Sequence, residues 1–426
     1  MIIGGSQFLE TAGPDSDLDI IFVFPQKCLC PLPNILGDCE KCQRNGNIRF
    51  CTKHDQFFGS NVQSFASYLR NEIYSVENIE EFEFRGYSIS GAYINSIENA
   101  RVPIISISIS GVEMDIMAAP IPYDNIPDNF DLINIENENI VNKNNKLLNE
   151  LIGTMIKQND QFYNKSILVL TGYRIAYNTK SKFIQSAKQL SLFVDLMRAV
   201  KLWAKRKQIY SNVFGYLSGT ILTIMTAKIN LKFNNSGGLI FLFKQFFKVY
   251  SEWQWPFPVL LEPLTTQDEL TQYLNKENNY LIDSWNLSNI KNDIQPSIMP
   301  IISPQFPEQN VAFNVNEFTK SIILREMKKA SNYFKNINSK NLTKEWWQKT
   351  IFEQINYKLI YKHFIMVICT VPIKTKENIN NFKCGLLKTK LRLIFKEWAG
   401  KIRNNELEEY HSISGFEKER RCERIK

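Results

Sequence analysis

The sequence predicts an α+β protein of three domains of mixed type, with strands toward both ends and helices in the middle. Three observations lead there. Ile105, Ile107 and Ile109 alternate with Ser106, Ser108 and Ser110, which is the period of a half-buried strand. Leu190, Phe193, Val194, Met197, Val200 and Ala204 recur at steps of three and four, which is the period of an amphipathic helix. The length, 426 residues, leaves room for two or three cores at about 150 residues per domain.

The elements follow in order. Residues 1–25 read as strand, turn, helix, strand. Residues 27–54 form an insert rich in Cys. Residues 56–72 read as a helix on Phe57, Phe58, Val62, Phe65 and Leu69. Residues 101–118 read as a hairpin turning at Ser110-Gly111. The Asn-rich stretch 131–150 reads as a surface loop or expanded linker. Helices follow from Leu190 and over 238–253, then Pro-rich turns around 296–307 and a helix over 318–335. A strand-like run, Phe364 to Val371, precedes a basic helical stretch from Lys388 to Trp398.

Composition excludes several classes. Hydrophobic residues are 44% and charged residues 22%, a globular mix that rules out wholesale disorder or a collagen-like chain. Lys and Arg number 51 against 43 Asp and Glu, a net charge of +8. That mild basic bias is compatible with a polyanionic partner without requiring one. Eight Cys are too few for a disulfide-built scaffold, and the first residues have no signal-peptide pattern, so a reducing compartment is expected. The longest uncharged stretch, Gln208 to Ala227, contains Tyr210, Ser211, Asn212, Gly215, Ser218 and Gly219. These residues suit a loop entering a buried helix, and no membrane partner is expected.

The chemistry starts at Asp17-Leu18-Asp19. Residues i and i+2 of a strand share a face, so both carboxylates project together while Leu18 and Ile20 face the core. Asp115, between Met114 and Ile116, offers a third carboxylate from the hairpin. Three carboxylates on adjacent strands suit a pair of hard divalent cations, the clamp of an in-line displacement. Gly5-Ser6 lies ahead of Asp17, between strand and helix, where free backbone N–H groups attract phosphate.

The helix from Leu190 carries Arg198, Lys201 and Lys205 on one face. Tyr210, Asn212 and the run Gly215-Tyr216-Leu217-Ser218-Gly219-Thr220 follow it. A Tyr can stack on a base, an Asn can hydrogen-bond a base or ribose, and Lys suits triphosphate oxygens.

Taken together, these residues resemble the eukaryotic poly(A) polymerases, within the DNA-polymerase-beta-like nucleotidyltransferases. The resemblance rests on Arg198 to Gly215, Phe246 to Pro256 with Pro258 to Leu261, and Met299 to Pro304 with Pro307, Gln309 and Asn310. Tyr361-Lys362-His363-Phe364 resembles the entry into the family's last domain. The resemblance implies a nucleotidyltransferase palm (a mixed sheet with helices) over 1–175, a helical central domain over 176–310, and an RRM-like, ferredoxin-like RNA-binding domain over 311–426. It implies template-independent addition of AMP from ATP to RNA 3′ ends with two Mg²⁺ or Mn²⁺ ions. It further implies mRNA 3′-end polyadenylation in the nucleus and partnership with a cleavage and polyadenylation complex. By position, Asp17, Asp19 and Asp115 match the metal-binding catalytic aspartates. Gly5 and Ser6 match the phosphate turn. Lys201, Tyr210, Asn212, Gly219 and Thr220 match ATP-binding positions.

The chain also departs from the family. Met1 lies four residues before Gly5-Ser6, where the family has a longer leading segment, so a shortened start or a minimal enzyme is expected. Ala12, Gly13 and Pro14 stand where basic and hydroxyl residues are usual, Asp15 adds a carboxylate, and Leu170-Thr171-Gly172 replaces Leu-Asn-Gly. Cys28, Cys30, Cys39, Cys42 and Cys51 crowd together with His54. Cys39-x-x-Cys42 has structural-zinc spacing, but without a second such pair the expectation is a loop of reduced Cys, with zinc the secondary reading. Trp346-Trp347 is expected to cap the last domain's core, and Glu417 to Lys426 to be a solvated basic tail. Two rivals remain: a terminal nucleotidyltransferase using UTP or CTP, and an RNA-binding protein with impaired catalysis.

Overall fold

The structure is a computed structural model. It describes residues 1–29 apart from 15, 57–58, 64–77, 83–84, 87–88, 93–97, 100–109, 111–126, 130–158, 163–184, 186–233, 237–266, 269, 284–291, 296–335, 342–360 and 362. Two compact units result. The first comprises Met1–Val194, Leu260–Asn286 and Ser303–Gln309; the second comprises Asp195–Val259, Leu287–Ile302 and Asn310–Lys426. The class is α+β, as the sequence predicts.

The first unit is built on a mixed sheet. Its strands are β1 (Ile2–Ile3), β2 (Leu18–Pro25), β5 (Tyr93–Ile97), β6 (Ile104–Ile109) and β7 (Val112–Ile121), in the order β1-β2-β7-β6-β5. A separate two-stranded ribbon pairs β3 (Glu83–Phe84) with β4 (Tyr87–Ser88). β2 runs parallel to β7, while β1–β2, β5–β6 and β6–β7 are antiparallel. The Ile/Ser alternation of β6 puts Ile105 and Ile107 in a core.

β2 is apolar on both faces, which a strand between parallel and antiparallel neighbours needs when helices cover both sides. Ile20, Phe22 and Phe24 pack with Phe57, Ile105, Ile107 and Ile116, next to α2 (Phe65–Glu77). Ile21 and Val23 pack with Ala119, Ile121 and the helices α3 (Glu138–Lys157) and α4 (Tyr163–Asn178). The expected core side, Leu18 and Ile20, is therefore one of two buried faces, and the carboxylates begin the other.

Two expectations are corrected here. The Asn-rich stretch 131–150 is largely helix α3, not a loop. Asn137 caps it by accepting from the Ile140 N–H at 3.0 Å, and Val141, Leu148, Leu151, Ile152 and Met155 bury its apolar stripe. The buried Asn144 amide donates to Asn134 O at 3.0 Å and to Tyr177 Oη at 3.2 Å. The Asn residues thus supply caps, turns and one buried contact, and their polarity hides the helical period. The helix expected over 56–72 begins only at Phe65. Phe57 lies in a turn whose carbonyl accepts from the Ala66 N–H at 2.9 Å, and its ring meets Phe65 at 5.1 Å and Phe24 at 5.8 Å.

The second unit is helical around an aromatic core. It holds most of α5 (Ala187–Arg206), α6 (Gly219–Lys232), α7 (Leu239–Ser251) and α8 (Glu317–Lys335). Trp203, Phe243, Phe246, Phe247 and Tyr250 are fully buried. α9 (Lys344–Lys349) and α10 (Tyr357–Ile360) follow. Trp347 lies 5.8 Å from Phe243 and 5.7 Å from Phe334. The tryptophan pair therefore packs on the core around α7 and α8 in the second unit.

Asp15, Cys30, Cys39, Cys42, Cys51, His54, Tyr361, the run Phe364 to Val371, the stretch Lys388 to Trp398 and the tail from Glu417 lie outside the described residues. Among the described residues, no helix is long and apolar enough to cross a membrane.

Candidate active site

The parallel pairing of β2 with β7 sets Asp19 directly opposite Asp115 in one rung, with Ile21 opposite Met117 two residues on. Residues in register on parallel strands point to the same face, so the two carboxylates stand side by side where the face covered by α3 and α4 begins. Both are half-buried, whereas Asp17, one residue ahead of β2, is exposed.

Asp115 is held from its other side as well. Ser106 is its partner on β6, and the Ser106 side chain hydrogen-bonds the carboxylate. Burial pushes the Asp115 carboxyl above the usual range, the Ser106 bond offsets part of that, and the neighbouring charge of Glu113 adds to the rise. Ser106 and Glu113 are the site residues that sequence reasoning missed. A signal for Ser106 was present: a hairpin turning at 110–111 pairs residue 106 with residue 115. Glu113 shares the Asp115 face by the same i, i+2 rule that linked Asp17 to Asp19.

The Gly5-Ser6 turn sits against Asp19. The Gly4 N–H donates to Asp19 O at 2.9 Å. Gly5 has φ +56°, and a Cβ there would lie 1.8 Å from Asp19 Oδ2, so only a glycine lets the carboxylate come this close. α1 (Gly5–Phe8) follows as one turn, and Thr11 returns its N–H to Ser6 O at 2.9 Å.

A second group assembles in the second unit. Lys201 and Lys205, one helical turn apart on α5, place their ammonium groups 5.8 and 5.9 Å from the centre of the Tyr210 ring. Tyr210 Oη stands at the start of α6, where a Cβ on Gly219 would lie 3.3 Å from it. Ser218 caps α6 by accepting from the Ile221 N–H at 3.2 Å. Asn212 fixes the loop through its backbone, whose carbonyl accepts from Asn314 Nδ2 at 3.1 Å, while its own side-chain Oδ1 is buried without a partner. Gly215, with φ +80°, has no space for a Cβ, which would meet Asn314 O at 2.6 Å. Lys201, Tyr210 and Gly219 are thus neighbours, Asn212 anchors the same loop, and Thr220 is exposed in the first turn of α6.

Asp19, Asp115, Gly5 and Ser6 belong to the first unit; Lys201, Tyr210, Asn212, Gly219 and Thr220 belong to the second. Among the described residues, no three Asp, Glu, His or Cys side chains are grouped to hold one ion. Cys28 is a free, exposed thiol, and its three proposed zinc partners lie outside the described residues.

Residues 192–354 match the poly(A) polymerase central domain family. The chain is 28% identical over 297 residues to poly(A) polymerase pla1 of Schizosaccharomyces pombe, covering 70% of this chain and 44% of that protein. It is 24% identical over 304 residues to poly(A) polymerase PAPa of Candida albicans, covering 71% of this chain and 47% of that one. The chain thus spans about half the length of these relatives. Among solved structures, a cytoplasmic RNA terminal U-transferase aligns at TM-score 0.41 and 16% identity over 83% of this chain and 85% of that one. Cid1 with the UTP analogue UMPNPP aligns at TM-score 0.42 and 15% identity over 83% and 85%.

Proposed function

We propose that the chain is a template-independent polynucleotide adenylyltransferase, adding AMP from ATP to RNA 3′ ends. The observation that supports transfer chemistry is the Asp19–Asp115 rung beside the Gly5-Ser6 turn. The preference for ATP rests on similarity to proteins named poly(A) polymerases. Following those relatives, the reading includes mRNA 3′-end formation in the nucleus alongside a cleavage and polyadenylation complex. An RRM-like C-terminal domain that grips the acceptor RNA also belongs to it.

Two half-buried carboxylates side by side are the hard oxygen donors a divalent cation prefers. Asp19 and Asp115 therefore fit Mg²⁺ or Mn²⁺ as ligands, with Asp17 as the third carboxylate of the proposal. Such ions, when bound, supply charge neutralisation at the triphosphate and a more acidic 3′-hydroxyl. The protein's own residues do the rest. In this reading the backbone of Gly5-Ser6 and the Ser6 hydroxyl hold phosphate oxygens. Lys201 adds a point charge toward the triphosphate, the Tyr210 ring stacks on the base, and Asn212 Oδ1 accepts from a ribose or base donor. Gly219 lets the backbone close on the nucleotide, with Thr220 beside it.

The test is primer extension. The full chain is incubated with an oligo(A) primer, Mg²⁺ or Mn²⁺, and each of the four nucleoside triphosphates separately, with Asp19→Ala as control. Extension with ATP alone, absent in the control, is the expected result. Extension with UTP or CTP instead would move the chain to another branch of the transferases, and no extension by a cooperatively folded chain would overturn the enzyme reading.

A further inference from the structure

The one-turn helix α1 depends on a residue far along the chain. α1 is four residues long and has no side-chain N-cap. Its backbone carbonyls can be followed one by one: Gly4 O accepts from the Phe8 N–H, Gly5 O from Leu9, Ser6 O from Thr11 and Gln7 O from Glu10. That leaves Phe8 O, one of the orphan carbonyls every helix end carries. Lys180 Nζ donates to it at 3.1 Å and to Glu10 Oε1 at 2.6 Å.

The same ammonium lies 5.3 Å from the centre of the Phe8 ring, and the Lys180 side chain is only 14% exposed. Phe8 is stacked on Tyr177 at 6.0 Å and set edge-on to Tyr173 at 5.7 Å. Tyr173, Tyr177 and Lys180 follow one another at steps of four and three, the spacing of one helical face. Lys180 opens out of α4 within a π-helical turn, Thr179–Phe183, a distortion often found at functional sites. Glu10, the other end of the contact, has φ +60°, a left-handed conformation that a non-glycine residue adopts only at a cost.

From this convergence we infer that Lys180 is a positioning residue for the nucleotide-phosphate turn. It satisfies the end of α1 and fixes the strained Glu10, so that the Gly5-Ser6 backbone stays set against Asp19. The inference rests on the reading of Gly5-Ser6 as the phosphate turn.

The test compares Lys180→Met, Lys180→Arg and Glu10→Gln in the full chain. Amide hydrogen exchange is read in the peptide covering residues 1–12, alongside a thermal melt and steady-state kinetics with ATP and oligo(A). Lys180→Met is expected to speed exchange in that peptide about tenfold while peptides of the second unit keep wild-type rates. It is also expected to raise KM for ATP more than it lowers kcat. Lys180→Arg, which retains donors to both acceptors, should recover much of each effect, and Glu10→Gln should give an intermediate result. Unchanged exchange in the 1–12 peptide would overturn the inference whether or not the chain transfers nucleotides. Faster exchange with an unchanged KM for ATP in an active enzyme would overturn the link to the nucleotide. If Lys180→Met does not fold, Glu10→Gln decides on the same two readouts. Absence of transfer by the wild-type chain would count against the proposed function alone, since the exchange result stands by itself.

Discussion

Gly5 and Asp19 compete for the same space: a Cβ on Gly5 would stand 1.8 Å from Asp19 Oδ2. The contact joins the start of α1 to the carboxylate of β2, which the backbone bond from Gly4 N to Asp19 O also ties together. Gly5→Ala is expected to displace the carboxylate or flatten the turn, because φ +56° is also unfavourable for alanine. A displacement of about 1 Å in a reacting group costs about a hundredfold in rate. Primer extension should therefore fall by about that factor in kcat/KM, with the folded state still showing a cooperative melt. Near-native extension by Gly5→Ala would show that the close approach is not needed.

Asp115 gives a pH prediction of definite sign. Burial and the neighbouring Glu113 raise its carboxyl in the folded state, so the folded protein holds that proton more tightly than the unfolded chain does. Its contribution to stability is full below the ordinary carboxylate range and is lost as pH rises through the raised value. Asp115→Asn removes the buried charge while keeping the Ser106 neighbour. The variant is expected to melt above wild type at neutral pH, with the gap closing as pH drops below the ordinary carboxylate range. Extension activity should be abolished at every pH. A gap that widens on acidification would contradict the burial argument.

The sequence showed the site unevenly. Asp19 was legible as a strand carboxylate by period two, although Asp17, its expected companion on that strand, stands one residue ahead of β2 and is exposed; the hairpin arithmetic put Asp115 on a strand. What the periodicity did not show was which face they begin. β2 carries apolar residues on both sides, Ile20, Phe22 and Phe24 on one and Ile21 and Val23 on the other, so alternation could not single out a core side. Nor could it show which strand β2 would join, since a parallel partner more than ninety residues on is a tertiary choice. The Asn-rich helix α3 was hidden for a different reason. Asn is a weak helix former, and here it serves as cap at 137 and as a buried donor at 144. Lys201 and Tyr210 were legible as residue types, but the placing of both Lys201 and Lys205 over one ring depends on the loop that returns Tyr210 to α5.

Glu308 tests how the first unit closes on itself. It is 3% exposed, and its carboxylate accepts from the Thr265 N–H at 2.8 Å and from Ser284 Oγ at 2.6 Å. Its carbonyl accepts from the Trp285 N–H at 2.8 Å. Glu308→Ala leaves two donors without their acceptor, at about 1–3 kcal/mol for each unsatisfied buried group. A loss of about 2–4 kcal/mol by denaturant unfolding is expected, and Glu308→Gln, which keeps one acceptor oxygen, should lose less. Equal losses in the two variants would point to packing in place of hydrogen bonding.

Tyr210 separates nucleotide binding from folding. Its ring is half-buried, faced by two lysines, with the hydroxyl beside Gly219. If the ring receives the base, Tyr210→Ala removes a stacking platform worth about 1–3 kcal/mol. KM for ATP should rise by about ten- to a hundredfold with a smaller change in kcat, since stacking serves bound substrate and transition state alike. Tyr210→Phe keeps the ring and gives up only the hydroxyl, so it should stay near wild type. The lysines supply a check on the alternative that the ring merely seats them: Lys205→Met removes one cation but no platform, and its KM should rise far less than that of Tyr210→Ala. If Tyr210→Phe proved as damaging as Tyr210→Ala, the hydroxyl at Gly219 would be the working part, and the residue would act by shaping the start of α6.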